Sequence, residues 1–364
     1  MKQIKIISGA EKALCRCSVF FAALITLFSA GCSIHEFPDD WRTQTIPVQL
    51  SLNFSSEWPL HKEINVPLRA SEAGDEPYIR YIVKVFTDTH LQADNPKADT
   101  TLVFTKPASQ GLNEVRMAEL LPGDYTLYVW ADYVQDSSAT HYFYNASDFK
   151  EITVADIQHY SGNTVLSDAF CGTTQIAVNR EQIGAQADAG QAHYIEASVS
   201  MKRPLAKFTF ISTDYAEFVG KLLEEKEQSK SNAEPQEARA LNLQEYSVVF
   251  RYTGFKPIAF NFFTNKPSDA LTGIAFRSSL QALSQTEVQL GFDYVLINGS
   301  ETSVPVAVEV YDGAGTLIAG VPAVEVPLLR GRHTIVRGPF LSTKASGGVG
   351  INPEFDGEYN IAIE

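Results

Sequence analysis

Much of what a catalytic or membrane-spanning chain needs is missing here. The seven histidines (His35, His61, His90, His141, His159, His193 and His333) are scattered, with no HExxH or other paired metal spacing. No G-x-S-x-G elbow and no Gly-Lys phosphate loop occurs. Cysteine is scarce: Cys15 and Cys17 fall in the N-terminal leader, Cys32 ends it, and Cys171 stands alone, so there is no disulfide framework. Cys171, in DAFCGTT, reads as a buried structural thiol, because a reactive one needs an activating neighbour that the sequence does not show. Basic charge is also short, with 29 Lys and Arg against 43 Asp and Glu and a net charge of −14. Without residues 1–31, which hold four basic groups and Glu11, the remainder carries −17. Such a chain repels polyphosphates and shows no basic stripe, which excludes nucleic acid as a partner. Carboxylates are plentiful, but nothing singles out a pair placed for glycoside chemistry. The expectation is a protein that is not an enzyme and that uses no cofactor and no metal.

What is present begins with the leader. Lys2, Lys5, Lys12 and Arg16 precede residues 18–28 (SVFFAALITLF), an uncharged apolar run of eleven. That run is too short to span roughly 30 Å of hydrocarbon as a helix but suits a signal-peptide core. Ser29, Ala30 and Gly31 lead directly to Cys32, and SAGC resembles a bacterial lipobox, in which the cysteine is acylated after cleavage before it. The lipobox usually has Leu where Ser29 stands, and an ordinary secretory signal cut near Ala30 is the alternative. Glu36, Asp39 and Asp40 follow closely, resembling the acidic signal that sends Bacteroidetes lipoproteins to the cell surface.

Almost every other segment has a period of two. Ile46, Val48, Leu50, Leu52 and Phe54 alternate with polar residues in IPVQLSLNF. The same holds for Ile79, Tyr81, Val83 and Val85 in YIRYIVKVF, and for Tyr125, Leu127, Val129 and Ala131 after the LPGD turn. Strands with one apolar face, separated by Gly, Pro, Asn and Asp clusters, predict antiparallel β-sandwiches. The polar, aperiodic stretch 178–191 predicts a domain boundary. The division is then a signal peptide at 1–31, a tether at 32–44, one sandwich at 45–180 and another at 192–364. In the second, Ala197, Val199 and Met201 alternate before Pro204, and Ala206, Phe208 and Phe210 after it, so Pro204 should mark a bulge or edge. One short helix is expected near AEFVGKLLEEK, burying Phe218, Leu222 and Leu223, with a charged surface loop over 224–240.

Two aromatic clusters, HYFYN (His141 to Asn145) and FNFF (Phe260 to Phe263), have the composition to stack on sugars. The competing reading sends Tyr142 and Tyr144 into a core. Trp41, Trp58 and Trp130 are too dispersed to form a platform. At the C-terminus, Asn352, Glu354, Asp356 and Gly357 copy the first half of a calcium loop, but Ile363 occupies the twelfth place where a bidentate acid is required. From Phe355 the chain instead shows one apolar stripe, Phe355, Tyr359, Ile361 and Ile363. That stripe predicts a terminal strand at 354–364, completing its own sheet or a neighbour's.

Taken in order, the lipobox, LPGDYTLYVWADY, VSMKRPLAKFTFIST, VPLLRGRHTIVRGPFLS and GGVGINPEFDGEYNIAIE resemble the fimbrillin-related lipoproteins of Bacteroidales, and among them the minor, anchoring subunits of type V pili and related proteins of unassigned function. The resemblance covers nearly all of the chain after the leader. It implies an all-β fold of two tandem transthyretin-like Greek-key sandwiches. It implies an outer-membrane, surface-exposed lipoprotein attached through Cys32, with other fimbrial subunits, and a host or glycan ligand, as partners. It implies a first strand (46–54) that is either retained or removed by an arginine-specific protease, with Arg42 and Arg69 as candidate sites. The tail 354–364 is then the candidate donor strand. Where fimbrillins often carry Arg-Asn-His, this chain has Arg330-Gly331-Arg332-His333. A surface glycan-binding lipoprotein of a polysaccharide uptake system is the alternative function.

Overall fold

The structure is a computed structural model that describes residues 41–54, 77–110, 114–182, 194–229 and 243–342. Cys32, Trp58, Arg69, Asn352 and the tail with Phe355, Tyr359, Ile361 and Ile363 lie outside the described residues.

The alternating segments form strands, and the strands form two sandwiches. In the first, β1 (Ile46–Phe54), β2 (Tyr78–Thr87), β3 (Thr100–Pro107), β4 (Glu114–Leu120) and β5 (Gly123–Val134) come in succession. A short excursion, β6 (Tyr144–Asn145) and β7 (Ile152–Val154), precedes β8 (Ala169–Val178) and β9 (Ile195–Met201). One sheet has the order β4-β1-β9 and the other β3-β2-β5-β8. Their facing stripes make one core: Ile46, Val48, Leu50 and Leu52 of β1 meet Tyr81, Val83 and Val85 of β2 and Leu127 and Val129 of β5.

The second sandwich begins with β10 (Leu205–Ser212) and β11 (Ser247–Tyr252), then a hairpin of β12 (Lys256–Asn261) and β13 (Lys266–Leu271). After β14 (Ala275–Ser279) and the two-residue β15 (Gln281–Ala282) come β16 (Val288–Leu296), β17 (Thr302–Tyr311), β18 (Leu317–Leu328) and β19 (His333–Gly338). Its sheets run β15-β16-β10-β19 and β14-β11-β17-β18. Apart from the small β15, this repeats the first sandwich strand for strand and in the same chain order. In both, the opening strand pairs in parallel with the closing one: β1 with β9 and β10 with β19.

The boundary therefore falls later than the composition suggests. The strand 195–201, expected to open the second sandwich, closes the first, with Leu50 opposite Ala197 and Leu52 opposite Val199. Period two identifies a buried stripe but is silent about which sheet buries it. Pro204 sits in the link between β9 and β10 rather than within a strand, a place where its missing N–H costs no ladder bond. The helix is longer than its sequence signal: it covers Tyr215–Ser229, so 224–229 are helical and not loop. Glu, Lys and Gln are good helix formers even without an apolar stripe. Phe218 is buried against Tyr246, whereas Leu223 is exposed.

The two sandwiches share a third core. The excursion β6–β7 from the first and the hairpin β12–β13 from the second join as one sheet, β13-β12-β7-β6. Beneath it, Ile82, Trp130 and Cys171 on the outer face of the first sandwich pack with Tyr144, Phe149, Phe260, Tyr294 and Leu296. Trp130 is fully buried, edge-on to Tyr144 at 5.7 Å. This is why β2 and β5 are buried on both faces although their sequences alternate only in part. Each such large side chain removed from water contributes about 1.5–3 kcal/mol, so the junction is held as a core is.

Two buried ion pairs stand out. Arg80 donates from Nε to Asp132 at 2.9 Å and also donates to the Tyr144 carbonyl at 2.8 Å, tying β2 and β5 to β6. Asp293 accepts hydrogen bonds from Tyr160 and Tyr252, and the buried Lys256 ammonium lies 3.6 Å from its carboxylate.

Candidate functional site

The first strand is the element whose position bears most directly on assembly. β1 has a partner on each side: it is antiparallel to β4, with Ile46 opposite Leu120 and Leu50 opposite Val115, and parallel to β9 from Val48–Ile195 to Phe54–Met201. Ile46, Val48 and Leu50 are fully buried and Leu52 nearly so. Polar side chains pin both margins: Thr45 donates to Glu119 of β4, and Asn53 donates to Ser198 of β9 at 2.6 Å. Taking β1 away would leave β4 and β9 about two strand spacings, ~9.6 Å, apart, with unpaired backbone on both lips and an apolar floor.

β10 occupies the equivalent place between β16 and β19, yet it differs in one respect. Residues 202–204 join it directly to β9, and residues 213–214 join it to the helix, so it is held at both ends. β1 is joined to β2 through residues 55–76 and is preceded among the described residues by the 3₁₀ turn Trp41–Thr43.

The corner beside that slot is closed. β8 and Lys202 exchange backbone hydrogen bonds, Cys171 N to Lys202 O at 2.8 Å and Lys202 N to Cys171 O at 2.9 Å. Gly172 permits this approach, since a Cβ there would stand 2.4 Å from the Ser200 carbonyl oxygen. Cys171 is buried, and burial pushes its thiol up to about 12, which keeps it protonated at neutral pH.

Arg42 is exposed in a 3₁₀ turn, Trp41–Thr43, with its guanidinium 5.9 Å from the centre of the Trp41 ring. It precedes β1, whereas Arg69 falls between β1 and β2 in sequence. A cut after Arg42 leaves β1 attached to the sandwich by its own connection; a cut after Arg69 severs it. The two arginines flank β1, so their order along the chain already separates them.

The aromatic clusters divide. Tyr144 is buried and Tyr142 is exposed, its ring beneath the Arg80 guanidinium at 4.5 Å, so the two do not alternate into one core. Phe260 and Phe262 are buried in the shared core, and Phe263 is half-buried. Among the described residues, no three His, Cys, Asp or Glu side chains are grouped to hold a metal ion. Among the same residues, no helix is long and apolar enough to cross a membrane.

The fold defines a tandem β-sandwich protein whose opening strand is built into its first sandwich, paired on both sides. The chain belongs to a family of unknown function, DUF6562, whose model matches residues 43–364. No curated protein sequence matches it. Among solved structures it is similar to the fimbrial anchor protein Mfa2 from Porphyromonas gingivalis, at 11% identity over 76% of this chain and 82% of that one, with a TM-score of 0.36. It is similar to a candidate cell adhesion protein from Bacteroides eggerthii, at 11% identity over 86% and 91%, with a TM-score of 0.42. A candidate adhesin from Bacteroides thetaiotaomicron matches at 12% identity over 77% and 81%, with a TM-score of 0.38.

Proposed function

We propose that this chain is a surface lipoprotein of the fimbrial class, an anchoring or accessory subunit that joins its partners by β-strand complementation. The observation that carries the reading is the placement of β1, fully hydrogen-bonded between β4 and β9 and with its apolar stripe buried. A subunit that keeps this strand has its own slot filled, so it accepts no strand from a neighbour and ends a fibre. Cys32 lies fourteen residues before Ile46, a tether that lets an acylated N-terminus sit in the outer membrane while β1 stays in its sheet.

In this reading the tail 354–364 is the donor. Tyr359, Ile361 and Ile363 present the same every-second-residue stripe as Val48, Leu50 and Leu52, and that is what a slot of this shape selects. Main-chain hydrogen bonds supply affinity and the alternating side chains supply register. No catalytic step belongs to this function.

The direct test is deletion of residues 354–364 in the native surface-expressed protein. The expected outcome is a folded, lipidated protein that no longer enters SDS-resistant assemblies. Unchanged assembly contradicts the donor role.

A further inference from the structure

A cleft of about 580 Å³ opens where the two sandwiches meet, within the roughly 300–1,000 Å³ usual for small-ligand sites. Its lining comes from the end of β8, the β9–β10 link, the β12–β13 turn and the loop before β19. Four cations, Lys202, Arg203, Arg330 and Arg332, face it, and among the described residues no carboxylate lines it, in a chain with a net charge of −14. Concentrating cations this way in an acidic protein costs repulsion among them unless an anion relieves it.

Only one of the four cations has a carboxylate partner among the described residues. Arg203 donates to both Asp168 oxygens, at 2.9 and 3.0 Å. Arg330 is half-buried and held by neutral acceptors alone, donating to the Arg203 carbonyl at 3.0 Å and to Asn265 Oδ1 at 2.7 Å. Those bonds fix the plane of a desolvated guanidinium without neutralising it. Burial accordingly pulls Arg330 down from the usual guanidinium value. Lys202 and Arg332 form no ion pair among the described residues.

The other wall is aromatic. Tyr128 meets Phe262 at 5.1 Å and Phe263 at 5.0 Å, both edge to face, and all three line the cleft. Thr173 and Ser200 also line the cleft and bring hydroxyls to it. A ligand that satisfies this surface has an anionic group for a fixed guanidinium, a C–H face for a ring edge or face, and hydroxyls for those two polar side chains.

We propose that this cleft binds an acidic saccharide, a pyranose bearing a carboxylate, with Arg330, Arg332 and Lys202 receiving the carboxylate and Phe263 and Tyr128 the apolar ring face. The inference goes beyond strand complementation, and β1 is not among the described residues that line the cleft.

The test is calorimetric titration of the mature full-length chain with sialyllactose and with trigalacturonate, using lactose as the neutral counterpart. Binding of at least one acidic sugar is expected, with none by lactose, and at least a tenfold loss in the Lys202→Gln/Arg332→Gln variant. Neither side chain donates a hydrogen bond to another described residue, so that variant is expected to keep the wild-type Tm. Phe263→Ala should weaken binding as well, while Arg330→Lys retains the charge but loses the fixed donor fork and binds at least tenfold more weakly. A synthetic peptide of residues 354–364 serves as an acidic non-sugar competitor. The assignment is overturned if neither acidic sugar binds, if lactose binds equally, if the variants bind like wild type, or if the peptide binds the cleft and the sugars do not.

Discussion

Leu50 of β1 stands opposite Ala197 of β9 in a parallel pair, 147 positions apart in sequence, with Val115 of β4 on its other side. Because Leu50 is fully buried, shortening it removes contacts to both sheets at once. Leu50→Ala should cost about 2–5 kcal/mol, read as a lowered midpoint in urea. A protease site placed within 55–76 and cut should then let a labelled synthetic peptide of residues 46–54 exchange into the slot. The same peptide carrying Leu50→Lys should fail to enter.

Asp293 governs the interior of the second sandwich. It accepts from Tyr252 at 2.6 Å and from Tyr160 at 2.8 and 2.9 Å, and Lys256 lies between those two rings, 4.8 Å from each. Asp293→Ala leaves a buried ammonium and two hydroxyls uncompensated and should cost about 3–5 kcal/mol. Replacing Lys256 by Met in the same chain should recover part of that loss, a coupling that a double-mutant cycle measures.

The same network sets the alkaline limit of stability. Burial, and after it the charge of Asp293, raises the phenols of Tyr144, Tyr160 and Tyr252 well above their ordinary value. A group raised on folding stabilises fully below its unfolded pKa, about 10 for tyrosine, and loses that contribution as pH climbs toward the folded value. Stability from these residues should therefore be level up to about pH 10 and fall above it. The tyrosinate absorbance of the three should appear together with unfolding and not before it.

Trp130 joins the sandwiches. It is fully buried and packs on Tyr144 from the first excursion and on Phe260 and Phe262 from the second. Trp130→Ala should cost about 3–5 kcal/mol. Thermal unfolding should be a single transition in wild type and should separate into two in the variant as the shared core fails.

How far the sequence carries can be read from particular residues. The alternation of Ile46, Val48, Leu50 and Leu52 marks β1 to the residue, because a half-buried strand has no other way to be written. The same rule finds Ala197, Val199 and Met201 but places them in the wrong sandwich, since pairing partners lie far away in sequence. Lys256 and Asp293 look like ordinary surface charges; each is tolerated only because the other lies beside it, and no local pattern records that. Arg330 and Phe263 stand 67 positions apart and share a cleft only because a hairpin from the second sandwich lies against the first. Arg42 and Arg69 become distinguishable once β1 is known to lie between them.

The central claim is that this chain keeps β1 in its own slot while its N-terminus is tied to the membrane. Mass spectrometry of the mature protein recovered from the cell surface tests it most directly. The account predicts an acylated N-terminal Cys32 on a continuous chain that still contains residues 46–54. A free N-terminus at residue 70, created by cleavage after Arg69, would contradict it and make this a subunit that polymerises through its emptied slot.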